Sequence, residues 1–162
     1  MEMEDQTKIN IYVVCHKEAH VPEIECFKTI QAGAANAPVK LNGMLSDNTR
    51  DNISEKNRSY CELTAQYWAW KNEDADYYGF FHYRRYFSFD LDQDYAEDGY
   101  GNVVIDRMTR EELERFRLDN QHIQELVADY DIVTVRARDI NEQRKRTRHK
   151  ERLDNYAEYG ES

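Results

Sequence analysis

The sequence predicts an α/β fold with a mostly parallel sheet flanked by helices, and three observations carry that prediction. Lys8 to Cys15 (KINIYVVC) is nearly continuously apolar from Ile11, the pattern of a strand covered on both faces. Asp76 to Phe81 repeats that pattern and ends abruptly in His82-Tyr83-Arg84-Arg85. Between and after these strands lie helix-forming segments, and strand, helix and strand in alternation imply βαβ units.

Taken in order, the first strand stops at His16-Lys17-Glu18, which places His16 at its carboxyl end, where nucleotide-contacting loops usually sit. His16 is there either a ligand contact or an ordinary turn residue. Val21 to Ala37 reads as a loop with one short helical or irregular turn, and Lys40 to Leu45 as a second short strand. From Ser46 the chain becomes Asp-Asn-Thr-Arg-Asp-Asn-Ile-Ser, whose short polar side chains compete with the backbone and favour turns.

A helix is expected from Ser59, because Ser59 and Glu62 fit the capping box, which is also the plain structural alternative to a substrate contact for Glu62. Tyr60, Leu63, Tyr67 and Trp70 form one apolar side and Cys61, Ala65 and Trp68 another, which predicts a largely buried helix. After the second strong strand comes an acidic loop, Asp90 to Asn102. Thr109 and Glu112 make another capping box, opening a helix with a face of Leu113, Phe116, Asn120, Ile123, Val127 and Tyr130. Asp131 to Val135 (DIVTV) is expected to be a third strand.

The composition narrows the function classes. The chain of 162 residues is 33% charged and 12% aromatic, with only 6 Gly and 2 Pro, as for a globular domain and not a low-complexity one. Its net charge of −10 argues against a nucleic-acid partner, which needs a basic face. No run approaches the ~20 apolar residues of a membrane span, and the acidic start MEMEDQ is unlike a signal peptide, so a cytoplasmic location is expected. The 3 cysteines, Cys15, Cys26 and Cys61, show no CxxC spacing and read as reduced and mostly structural.

The chemistry concentrates at the end of the second strong strand. Two adjacent arginines after a buried strand need anionic partners, since an unpaired buried guanidinium is very costly. Arg84 and Arg85 therefore meet either a ligand such as a diphosphate, whose oxygens suit the planar fork, or a structural carboxylate. Several DxD triplets exist, but only those of Asp90, Asp92 and Asp94 lie beyond the carboxyl end of this strand, and Asp90 and Asp92 are the weak candidates for Mn or Mg. The Arg144 to Arg152 cluster is either a solvated tail or a contact with anionic lipid headgroups at the inner face of the membrane.

The wording NISEKNRSYCELTAQYWAWKN followed by ADYYGFFHYRRYF closely resembles a bacterial domain family found in capsular polysaccharide and exopolysaccharide biosynthesis proteins, long of unknown function and regarded as glycosyltransferase-like. The resemblance runs from the Ile9 strand through the Asp131 segment. It implies a Rossmann-like, nucleotide-sugar-binding fold of the GT-A kind over residues 1–140, with residues 141–162 a charged tail or the start of a further half near Tyr159, the fold thus being incomplete at its carboxyl end. It further implies a nucleotide-sugar donor, facing Asp47, Asn48, Asn52, Ser54, Lys56 and Asn57 and held by His82, Arg84 and Arg85, with Glu62 and His16 available to the sugar. The acceptor would be a polysaccharide or a lipid-linked saccharide. No catalytic base is assigned. The cationic HYRR replaces the usual metal motif, and a non-catalytic binding or scaffold module with the same fold is the competing reading.

Overall fold

The computed structural model describes residues 7–137. Four strands form one parallel sheet in the order β3-β2-β1-β4, with β1 Ile9–Cys15, β2 Phe27–Gln31, β3 Leu45–Ser46 and β4 Tyr77–His82. Every residue of β1 is buried, as its unbroken apolar run requires of a central strand with both faces covered. It pairs Ile11 with Phe27 on one side and with Gly79 on the other. At Gly79 an added Cβ would lie 2.8 Å from Ile11 Cγ1, so the strand has no room for a side chain at that point.

The helices are α1 Asn57–Tyr60, preceded by a 3₁₀ turn over Ser54–Lys56, then α2 Leu63–Asn72, α3 Arg110–Arg115 and α4 Asn120–Ala128. One face of the sheet packs α2 through Ala65, Trp68 and Ala69 against Tyr12, Val14 and Ile30. The other face carries Ile9, Ile11, Val13 and Phe81 against Phe89, Phe116, Leu118, Ile123 and Val127. Cys15 and Cys26 lie buried with free thiols that burial pushes up to about 11, whereas Cys61 is exposed.

Several expectations are corrected. β2 occupies Phe27–Gln31 inside the stretch read as a loop. The cause is Gln31, a polar residue that interrupts the apolar pattern yet is 1% exposed, donating to the Val39 carbonyl at 2.8 Å and accepting from Leu41 N at 2.9 Å. β3 begins only at Leu45, later than the expected Lys40 start.

The helix expected from Ser59 is broken at Cys61, which takes φ 48°, and no side chain caps α2. Its Tyr60, Leu63 and Trp70 side is exposed at 47%, 52% and 65%, because α2 meets the sheet on one side only. The Thr109 box does cap α3, its hydroxyl accepting from Glu112 N at 3.3 Å. The single long helix expected there is two, divided at Arg117 with φ 49°, and Asp119 caps the second. Residues 131–135 form no strand, and Ile132 and Val135 stand exposed.

Gly33 shows how tightly the turn after β2 is specified. It has φ 65°, and a Cβ there would meet the Asn57 side chain at 2.6 Å. Gly33→Ala is expected to cost about 2 kcal/mol, from the left-handed backbone and the displaced Asn57 together, read as a lower urea midpoint at unchanged slope.

Candidate functional site

All four strands run the same way, so their carboxyl ends share one edge, and the loops leaving it carry the polar residues. β1 ends at His16, β2 at Ala32-Gly33, β3 at Asp47, and β4 at Tyr83-Arg84-Arg85. Backbone hydrogen bonds lock these exits together: Ala32 N donates to the Cys15 carbonyl at 2.9 Å, Asp47 N to the Gln31 carbonyl at 3.1 Å and Tyr83 N to the Val14 carbonyl at 3.2 Å.

At the β1 and β4 exits a cationic and aromatic cluster forms around Tyr83, which is itself buried. The His82 ring lies 4.3 Å from it, His16 meets it edge-on at 5.2 Å, and the two imidazoles are 6.0 Å apart. The Arg84 guanidinium sits 5.2 Å over the Tyr83 ring and the Lys17 ammonium 5.8 Å from it. Burial, and then the Arg84 charge, hold His82 below the ordinary imidazole pKa, opposed by Glu62 from the turn between α1 and α2 and reinforced by Arg85 and His16. Burial and the neighbouring guanidinium charge thus favour the neutral ring.

Arg84 and Arg85 are both exposed, and among the described residues no carboxylate lies within ion-pair distance of either. Among the described residues, then, neither guanidinium group is held in a salt bridge. Their backbone is used instead: Arg85 N donates to the His82 carbonyl at 2.8 Å and Arg84 N to His82 Nδ1 at 3.2 Å. Tyr83 and Lys17 are the contributors that sequence reading missed, although the aromatic residue inside HYRR was the available signal.

The loop from Asp47 to Asn57 is built differently from the expectation. Asp47 is 0% exposed, and its two oxygens accept from Gly33 N at 2.7 Å, Ala34 N at 3.0 Å, Ser54 Oγ at 2.5 Å and Thr64 Oγ1 at 2.6 Å. All four of these bonds come from the loop's own surroundings. Ser54, also 0% exposed, uses its hydroxyl on Asp47 and on Ala35 N. Asn57 donates to the Cys61 carbonyl and to Thr64 Oγ1. These three residues frame the loop.

Asn52 is half-buried and spans its own turn, donating to the Arg50 carbonyl and accepting from Ser54 N. Asn48 is exposed and accepts from Ser46 Oγ, while Lys56 is exposed and among the described residues carries no ion pair. No hydrogen bond or ion pair joins Asn48 or Lys56 to the His82–Arg85 cluster among the described residues.

The metal candidates are also committed elsewhere. The Asp90 carboxylate accepts from Tyr95 Oη at 2.6 Å and from Asp92 N at 3.1 Å, and it lies 3.6 Å from Arg117. The Tyr95 bond holds the Asp90 carboxyl below the usual carboxylate range. Asp92 pairs with the same Arg117 at 3.0 Å. A DxD cation site needs these oxygens free and convergent, and among the described residues no group of three or more His, Cys, Asp or Glu side chains is placed to hold a metal ion. The donor set therefore does not fit a Mn or Mg pair. Residues 144–152, the expected lipid-contacting segment, and the 141–162 unit lie outside the described residues. Among those described, no helix is long and apolar enough to cross a membrane.

Comparison with known proteins agrees with this architecture. No curated protein matches the chain. The apo structure of WbbM, a bifunctional glycosyltransferase, matches with a TM-score of 0.70 at 41% sequence identity, over 74% of this chain and 21% of that one. This chain thus corresponds to about a fifth of the length of that enzyme, and the shared part is a parallel sheet flanked by helices. A family described as a Domain of unknown function (DUF4422) matches residues 10–159, nearly the whole sequence, and the chain belongs to that family.

Proposed function

We propose that the carboxyl edge of the sheet is the diphosphate-binding part of a glycosyltransferase, which takes a sugar from a nucleotide-sugar donor during capsular or exopolysaccharide assembly. The observation that carries this reading is the pair Arg84 and Arg85. In a chain of net charge −10, with 32 acidic residues, these two exposed guanidinium groups have no carboxylate within ion-pair distance among the described residues. The 41% identity to part of a bifunctional glycosyltransferase supports the same conclusion.

In this reading Arg84 and Arg85 neutralise the charge that develops on the leaving diphosphate, the role a metal plays in other such enzymes. His82 supports them. Asn48, Asn52 and Lys56 are the loop residues left to meet ribose or sugar, and Glu62 and His16 flank the place where the sugar would lie. The acceptor is a polysaccharide or a lipid-linked saccharide, met at the inner face of the membrane, with the basic Arg144–Arg152 segment toward anionic lipid.

Calorimetry and thermal shift of the full chain against nucleoside diphosphates and their sugar conjugates, with and without Mn, test this. Binding with a rise in melting temperature is expected. The Arg84→Ala/Arg85→Ala double variant is expected to bind about 100-fold more weakly, two charge-assisted hydrogen bonds being lost, with an unchanged melting temperature. If no nucleotide binds the folded chain, the non-catalytic scaffold reading replaces this one. If the double variant chiefly unfolds, the arginines are structural.

A further inference from the structure

We propose that His82 is locked as the neutral Nε2–H tautomer and donates that proton to an oxygen of the diphosphate. The inference rests on the donor reading above and deepens it. It starts from the turn that closes β4. Arg85 N donates to the His82 carbonyl at 2.8 Å, which folds the chain back so that Arg84 N points at the His82 ring and donates to Nδ1 at 3.2 Å. A ring nitrogen that accepts a hydrogen bond carries its lone pair there and no proton. The single proton of the neutral imidazole is then on Nε2.

The surroundings hold that state in place. Tyr83 lies against the ring at 4.3 Å, fixing its orientation. A second proton would set an N–H against the Arg84 N–H and add a cation beside Arg84 and Arg85. His16 faces the ring from the end of β1, and the Glu62 carboxylate also acts on it.

Among the described residues nothing accepts from Nε2. A half-buried donor without an acceptor, beside two guanidinium groups without carboxylates, converges on an anion's oxygens. A general base needs a free lone pair. His82 has spent its own on Arg84 N, so it can bind and orient but not abstract.

The test is a long-range ¹H–¹⁵N correlation spectrum of the five histidines in the ¹⁵N-labelled full chain at pH 7.5, before and after inorganic pyrophosphate, with His82 assigned from His82→Gln. The expected result is an Nε2–H pattern at His82 in the free protein and a shift of that Nε2 when pyrophosphate is added. His82→Gln, whose amide can reach the same place, should keep pyrophosphate affinity within about threefold, whereas His82→Ala should lose about tenfold. An Nδ1–H or doubly protonated His82 overturns the proposal and leaves the arginine reading intact. An Nε2–H ring that no pyrophosphate perturbs, in a chain that does not bind it, overturns both.

Discussion

Asp47→Ala is expected to destabilise the protein by about 4 kcal/mol, measured as a fall in the urea unfolding free energy at unchanged slope. Four donors converge on this carboxylate, two of them backbone N–H groups of the turn after β2 and two of them hydroxyls, Ser54 Oγ and Thr64 Oγ1. Three of the four are buried with it, Ser54 and Thr64 at 0% exposed like Asp47 itself, and Gly33 beside them, while Ala34 is half-buried. Truncation leaves those donors unpaired in place, and each orphaned buried group costs about 1–3 kcal/mol before any relaxation. Asp47→Asn is nearly isosteric but turns an N–H₂ toward groups that themselves donate, and should lose about 2 kcal/mol. A loss below about 1 kcal/mol for the alanine variant would mean that water reaches the site, and Asp47 would again be open to a ligand.

The same network explains why the site was only partly legible in the sequence. β1 and β4 could be read because a central parallel strand is apolar throughout, and the edge they share followed from their common direction. β2 could not, because Gln31 is buried for the sake of two loop backbone groups, a tertiary role that no local pattern shows. Ser59 and Glu62 matched a capping pattern, but Ser59 falls in the last turn of α1, and the Asn57 side chain instead holds the Cys61 carbonyl where the chain reverses.

The turn-rich loop lies where its composition places it, and Asp47, Ser54 and Asn57 make their hydrogen bonds with the backbone around it and with neighbouring side chains. Asp, Asn and Ser suit both binding a ligand and satisfying a bent backbone, and sequence alone does not say which way a side chain faces. The HYRR cluster stood out in the sequence because two guanidinium groups in a row at a strand end have few structural uses, and among the described residues neither has a carboxylate within ion-pair distance. The exposed Tyr60, Leu63 and Trp70 side was read as buried because helical spacing reveals an apolar stripe and not what covers it.

Trp68→Ala is expected to cost about 4 kcal/mol, and its milder relative is the more informative variant. Trp68 is 1% exposed at the centre of the contact between α2 and the sheet, among Tyr12, Val14, Ile30, Ala65 and Ala69. Its indole N–H also leaves the core, donating to the Thr49 carbonyl at 2.9 Å and to Thr49 Oγ1 at 3.0 Å. The Arg50 guanidinium covers the ring at 4.8 Å and continues to the Asn72 carbonyl and to Glu73, which Lys28 also reaches at 3.2 Å.

One side chain thus ties the sheet, α2 and the start of the Asp47–Asn57 loop together. Trp68→Phe fills most of the volume but removes the N–H that the exposed Thr49 accepts through its carbonyl and its hydroxyl, and should cost about 1 kcal/mol. Its effect should be local. Amide exchange should quicken from Thr49 to Lys56, the stretch that carries Asn52 and Lys56, while the β1 amides stay protected to the global limit. If the β1 amides quicken equally, Trp68 acts only through the core and the loop is held by Asp47 alone. If the loop alone quickens, the position of the candidate sugar-facing residues depends on an indole behind them, and a variant that touches no ligand would weaken nucleotide-sugar binding through disorder of that loop.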